Sequence, residues 1–262
     1  MSVIDEIKEA AKGIKSIIAV GSGKGGVGKS TVTANLALAM AKRGIKTAVL
    51  DADVYGPTIP SFFGIYSKPE AVKDKMIPPE KDGVKIMSLG LLVRDYSAVI
   101  WRGPLIMAMI KQFFTDVDWG DTELMFIDLP PGTGDAPLTI AQALPLKGGL
   151  IVTTPQAAAA KTAARAADLF RQLKVPVIGA VINMSYFSCA HCGKENRVFS
   201  EGGERLLKEK AGIEAIARLP FYEGFMEEEV PGEVRNIENY KAAAADFDML
   251  AGVVAEKCGI AK

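Results

Sequence analysis

The run Gly23-Lys24-Gly25-Gly26-Val27-Gly28-Lys29-Ser30 constrains this chain more than any other feature. It matches G-x-x-x-x-G-K-[ST] in full. It lies between a short apolar strand pattern at 16–21 and a helical pattern in which Val32, Leu36, Ala39 and Met40 share one face. Glycines let successive backbone N–H groups turn inward around phosphate oxygens, and the helix that follows adds its positive end. The expected nucleotide contacts are Gly23, Gly25, Gly26, Val27, Gly28, Lys29, Ser30 and Thr31. Lys29 is expected to reach the β- and γ-phosphates and the Ser30 hydroxyl to ligate magnesium. The plainer alternative, a glycine-rich turn with an incidental lysine, leaves unexplained why strand, loop and helix stand in register.

Alternation of apolar runs and helical patterns continues to the end of the chain. Further strands are predicted at 47–50, 84–89, 123–127, 149–153, 176–182 and 213–219, and helices at 104–114, 136–143, 157–173 and 241–257. Strands joined by helices of this length imply right-handed crossovers. The expected fold is α/β and doubly wound, a mostly parallel sheet with helices on both faces, as in P-loop NTPases. The polar stretch 66–82, rich in Lys and Pro, is expected to be a surface excursion. No linker divides the chain, so 1–262 is expected to form a single P-loop ATPase domain with a CxxC metal-site loop near 189–192.

Composition narrows the function classes. The 31 basic and 31 acidic side chains cancel, which speaks against a nucleic-acid coat. Arg102 and Lys111 interrupt the most apolar helix-like stretch, short of the ~20 residues a membrane span needs. Asp5, Glu6 and Glu9 make the N-terminus unlike a signal peptide. Three cysteines are too few for a disulfide framework. The expectation is a cytoplasmic protein with neither membrane nor nucleic acid as partner.

Acidic residues at strand ends complete a phosphoryl-transfer constellation. Asp128 ends the apolar run Leu124-Met125-Phe126-Ile127 and is suited to hold magnesium. The turn after it, Leu129-Pro130-Pro131-Gly132-Thr133-Gly134-Asp135, is suited to sensing a γ-phosphate. Asp51 and Asp53 follow the second strand, and Asp53 is the candidate for orienting the attacking water. A lone strand-end Asp is more often a helix cap or turn residue, but three around one phosphate loop point to function. Lys24 is a second lysine that one cradle does not need. Either it reaches the nucleotide of an opposing subunit, as an arginine finger does, or it is a solvated loop lysine.

Taken with Thr31, the loop resembles the deviant phosphate loop of the ParA/MinD-like class of ATPases, marked by a lysine at the position of Lys24. Within that class the chain resembles the Mrp/ApbC family of iron–sulfur cluster carrier proteins. The resemblance rests on Asp51-Ala52-Asp53-Val54-Tyr55-Gly56-Pro57, Trp101-Arg102-Gly103-Pro104, the block from Asp128 to Asp135, and Asn183-Met184-Ser185-Tyr186-Phe187 leading into Cys189-Ala190-His191-Cys192-Gly193. It implies an ATP-dependent homodimer in which Lys24 crosses to the partner's phosphates. It further implies that Asp53 is the hydrolytic aspartate, that Asp51 and Asp128 lie near magnesium, and that Asn183 recognises adenine. Hydrolysis is expected to be slow and coupled to loading or transfer of a cluster, with apo iron–sulfur proteins as acceptors. Longer family members carry an N-terminal extension, which this chain is not expected to share.

Cys189 and Cys192 supply two soft thiolates, half of what a tetrahedral zinc or a [4Fe–4S] cluster takes. A two-fold dimer would bring four together. Spacing alone leaves zinc and iron–sulfur open; the resemblance favours a bridging iron–sulfur cluster, [4Fe–4S] in particular. A redox disulfide fits poorly, because thioredoxin-like pairs open a helix after a strand. His191 is expected to be a surface loop residue and Cys258 a small buried hydrophobe. The rivals are a ParA/MinD-like partitioning or positioning ATPase and a zinc-bridged ATP-binding scaffold. The first would need a basic C-terminal helix face, whereas Lys241, Lys257 and Lys262 are offset by Asp246, Asp248 and Glu256. A reductase like the nitrogenase iron protein would carry cysteines beside Asp53 and Asp128, where there are none. Lys29→Ala is expected to abolish nucleotide-dependent function and leave the fold intact.

Overall fold

The computed structural model describes residues 2–92, 102–189, 191–199, 202–222 and 241–260. Trp101, Ala190 and Lys262 lie outside the described residues. The elements in order are α1 (Val3–Ala10), β1 (Ser16–Ser22), α2 (Lys29–Lys42), β2 (Thr47–Asp51), α3 (Ile59–Phe62), β3 (Glu70–Val72), β4 (Lys75–Ile77), β5 (Glu80–Lys81) and β6 (Val84–Ser88). There follow α4 (Gly103–Thr115), β7 (Leu124–Asp128), α5 (Asp135–Ala143), β8 (Gly148–Thr153), α6 (Ala157–Gln172), β9 (Val177–Ile182), β10 (Phe187–Ser188), β11 (Glu195–Asn196), α7 (Gly202–Ala211), β12 (Ala215–Arg218) and α8 (Lys241–Cys258).

The main sheet runs β12-β9-β8-β1-β7-β2-β6-β5, parallel throughout except for the edge strand β5. Its central strands are buried at every position because helices cover both faces. Alternate side chains divide between two cores. Ile17, Ala19, Leu50, Met125 and Ile127 pack with Ile7, Ile106, Phe113, Ile140 and Phe170 of α1, α4, α5 and α6. Ile18, Val20, Val49, Phe126 and Val152 pack with Leu36, Met40, Phe247 and Leu250 of α2 and α8. This is the doubly wound α/β fold that the alternating pattern predicts. No described helix is long and apolar enough to cross a membrane.

Predicted and observed bounds agree to within two residues for all seven parallel strands and for the helices α4, α5, α6 and α8. The excursion 66–82 holds the exposed hairpin β3–β4. Helix α7 has no counterpart among the expected elements: only Gly203 and Leu207 in it are buried, so its apolar period is faint. The alanines of α6 have a packing purpose. Ala159, Ala160 and Ala163 are buried, and the helix backbone comes so near the phosphate loop that a Cβ on Gly23 would lie 2.2 Å from the Thr162 carbonyl carbon.

Candidate functional site

β1 lies between β8 and β7 near the middle of the sheet, and its carboxyl end opens into the phosphate loop. Gly28 stands at the N-terminus of α2 with φ +81°, a left-handed conformation that L side chains rarely adopt. The loop, with Asp53, Thr58, Phe62, Tyr66 and Pro131, lines a cavity of about 330 Å³. Lys24 is exposed at its rim.

Parallel register sets the acidic partners side by side, since Asp128 of β7 pairs with both Val20 of β1 and Asp51 of β2. Lys29 Nζ lies 2.6 Å from Asp128 Oδ2 and 3.5 Å from Asp53 Oδ2. Ser30 Oγ donates to the same Asp128 oxygen at 2.6 Å, and Thr33 Oγ1 donates to the other at 2.7 Å. Burial alone would depress the Lys29 pKa; the charges of Asp128, Asp53 and Asp51 outweigh it and raise the value instead. Lys29 and Asp128 are both buried, so replacing Lys29 strands a carboxylate in the core. Lys29→Ala is therefore expected to keep the fold at a cost in stability. Thr33 is a participant that motif reading misses, although its place one helical turn after Lys29 was a usable signal.

Asp51 is fully buried. Its Oδ1 accepts from the Asp53 N–H at 3.2 Å, and its Oδ2 accepts from the Ile59 N–H and the Ser88 hydroxyl, both at 3.1 Å. With both oxygens accepting, Asp51 clamps the turn carrying Asp53 to α3. Burial, then the charge of Asp128, pushes its pKa up to about 8 against the pull of Lys29. Asp53 is also raised, by burial first, with Lys29 opposing and Asp128 adding. Ser30 and Asp128 present a hydroxyl and a carboxylate of the hard kind magnesium takes.

Asn183 ends β9, but it does not line the cavity. Its Nδ2 donates to the Val27 carbonyl at 2.9 Å, which seats Asn183 against the phosphate loop. Beyond it, β10 and β11 form a two-stranded hairpin with Cys189 and Cys192 at its tip. The Cys189 N–H donates to the Lys194 carbonyl, and the Gly193 N–H returns to the Cys189 carbonyl. The N–H groups of Cys192 and His191, then the Cys192 thiol, hold the Cys189 thiol below its ordinary range. Cys189 is partly and Cys192 fully exposed. Among the described residues, no three His, Cys, Asp or Glu side chains gather to hold a metal, so His191 does not complete a site. Cys258 is buried in α8, and burial raises its thiol pKa.

A family model described as the NUBPL iron-transfer P-loop NTPase, of the ParA group, matches residues 13–254. The chain belongs to this family. The iron–sulfur cluster carrier protein of Helicobacter pylori is 45% identical over 217 residues, a match covering 81% of this chain and 59% of that protein. The mitochondrial iron–sulfur protein required for NADH dehydrogenase of Arabidopsis thaliana is 47% identical over 210 residues, covering 79% of this chain and 67% of that protein. Among solved structures, a nucleotide-binding protein of Archaeoglobus fulgidus in complex with ADP superposes with a TM-score of 0.72 at 37% identity. That match covers 97% of this chain and 93% of the other. The range that the family model matches spans both the phosphate loop and the Cys189–Cys192 segment.

Proposed function

We propose that the protein is an ATP-hydrolysing iron–sulfur cluster carrier that holds its cargo between two copies of the chain and passes it to apoproteins. The observation that carries this reading is the presence, on one chain, of a phosphate-loop site and an exposed pair of thiols that no third ligand of the described residues completes. Two thiols per chain need a second chain to reach four, and an exposed bridge is easily released.

In the nucleotide site, Lys29 would leave Asp128 for the β- and γ-phosphates while the loop N–H groups hold the remaining oxygens. Ser30 and Asp128 would hold magnesium, which neutralises developing phosphate charge. Asp53, tethered through Asp51 to α3, would orient the attacking water. Lys24 would cross to the partner's nucleotide, making hydrolysis depend on dimer closure. Three cysteines are too few for a disulfide framework, and with the bacterial relative this supports a cytoplasmic carrier.

Anaerobic reconstitution with ferrous iron and sulfide tests the reading, with iron, sulfide and zinc counted per dimer. We expect a sulfide-to-iron charge-transfer band with about four irons per dimer, absent in Cys192→Ala. One zinc per dimer and no stable cluster would overturn it in favour of a zinc-bridged scaffold.

A further inference from the structure

Asp128 is wholly buried, and three side chains of α2 converge on it. Lys29 Nζ and Ser30 Oγ both reach Oδ2, each at 2.6 Å, while the Thr33 hydroxyl reaches Oδ1 at 2.7 Å. The two carboxylate oxygens are thus held by different donors. Lys29 and Ser30 each have a second task once nucleotide arrives, at phosphate and at magnesium. Thr33 has none: it is fully buried and does not line the cavity. Helix geometry accounts for its position. A threonine in a helix turns its hydroxyl back toward the carbonyl four residues earlier, and Thr33 Oγ1 lies 2.9 Å from the Lys29 carbonyl. One proton cannot serve both acceptors fully. The carboxylate makes the stronger, charge-assisted bond, and 2.7 Å is the length such a bond takes. An aspartate's last torsion is broad and roughly two-fold, so nothing in Asp128 itself decides which oxygen faces Ser30.

We propose that Thr33 is a positioning residue for the metal half of the nucleotide site. By holding Oδ1 it keeps Oδ2 turned to Ser30, so that hydroxyl and carboxylate stand together for magnesium when Lys29 leaves for phosphate. Hydrogen-bond partners behind a metal-binding group carry about 10- to 100-fold of metal affinity. Valine has the shape of threonine without the hydroxyl. In Thr33→Val, Oδ1 is buried with no donor among the described residues, and the carboxylate is free to turn away from Ser30. Thr33 does not line the cavity, so the grip of the loop N–H groups on phosphate does not depend on it. The inference rests on the reading of the phosphate-loop cavity as a Mg-ATP site.

The test follows binding as well as turnover. A fluorescent N-methylanthraniloyl ATP is titrated onto the full chain in EDTA and then over a range of free Mg²⁺. Thr33→Val and the smaller Thr33→Ala should each need about tenfold more free Mg²⁺ for half-maximal metal-dependent binding, with binding in EDTA unchanged. Thr33→Ser, which keeps the donor, should stay close to wild type. ATP hydrolysis by the Val and Ala variants should be slowed at limiting metal and recover at saturating Mg²⁺. A merely structural role would lower the melting temperature and leave the magnesium requirement where it was. A wild-type requirement in either folded variant would overturn the proposal. So would Thr33→Ser behaving like Thr33→Val, which would make the methyl group's packing the cause, or an equal loss of binding in EDTA, which would mean damage to the whole loop. If wild type binds no nucleotide, the site reading fails and this inference with it; if wild type binds Mg-ATP and the variants match it, this inference alone fails.

Discussion

Replacing Lys29 by Met removes a buried cation from a cluster of three carboxyl groups while keeping an unbranched side chain one atom shorter. Lys29 is 6% exposed, and Asp128, at 2.6 Å, is wholly buried. Taking one partner from a buried ion pair costs about 3–5 kcal/mol, because the other charge is left uncompensated. Ser30 and Thr33 keep their hydrogen bonds to Asp128, so the lower end, about 3 kcal/mol, is expected. The loss should depend on pH. Asp51 already stands at about 8 through burial and Asp128, and Asp53 is raised chiefly by burial, in each case against the opposing charge of Lys29. Without that charge both rise further. A carboxyl whose folded pKa exceeds its unfolded value binds more protons when folded, so its contribution is present at low pH and lost as pH climbs through the folded value. The variant's deficit should therefore be small near about pH 5 and still growing as pH rises past about 8. Urea unfolding of both proteins without nucleotide, across that range, measures it. A deficit under about 1 kcal/mol at the alkaline end, or one that does not change with pH, would refute Lys29 as the counter-charge of this cluster.

Three further outcomes are expected. Lys24→Ala should lower phosphate release by about 10³-fold with an unchanged melting temperature, as loss of a trans-acting cation does; an unaltered rate would make it a solvated loop lysine. Gly23→Ala drives a Cβ to within 2.2 Å of the α6 backbone; thermal unfolding should show a loss of about 2 kcal/mol, and wild-type stability would show that α6 yields. Cys258→Ala should cost about 1 kcal/mol in urea unfolding and leave iron content after reconstitution unchanged, whereas lost iron would make the third thiol a ligand.

The parallel strands and their covering helices were legible because each carries its own local signature. β7 is a four-residue apolar run closed by Asp128, and α2 follows a glycine loop of phosphate-binding pattern. Elements with little apolar surface escaped: α7 buries two residues, and β10–β11 is two residues on each side. Motif spacing also announced the phosphate loop, the strand-end aspartates and the thiol pair. It did not assign partners. Lys29 and Asp128 are 99 residues apart, and only the placing of β7 beside β1 brings them to 2.6 Å. Asp51 and Asp53 read alike as strand-end acids. Packing of α3 and Ser88 over Asp51 makes one a buried clamp and leaves the other facing Lys29 and the cavity. Asn183 likewise meets Val27 because β9 ends beside the loop. Local periodicity and motif chemistry are written along the chain, whereas burial and pairing depend on strand order, which only the folded sheet supplies.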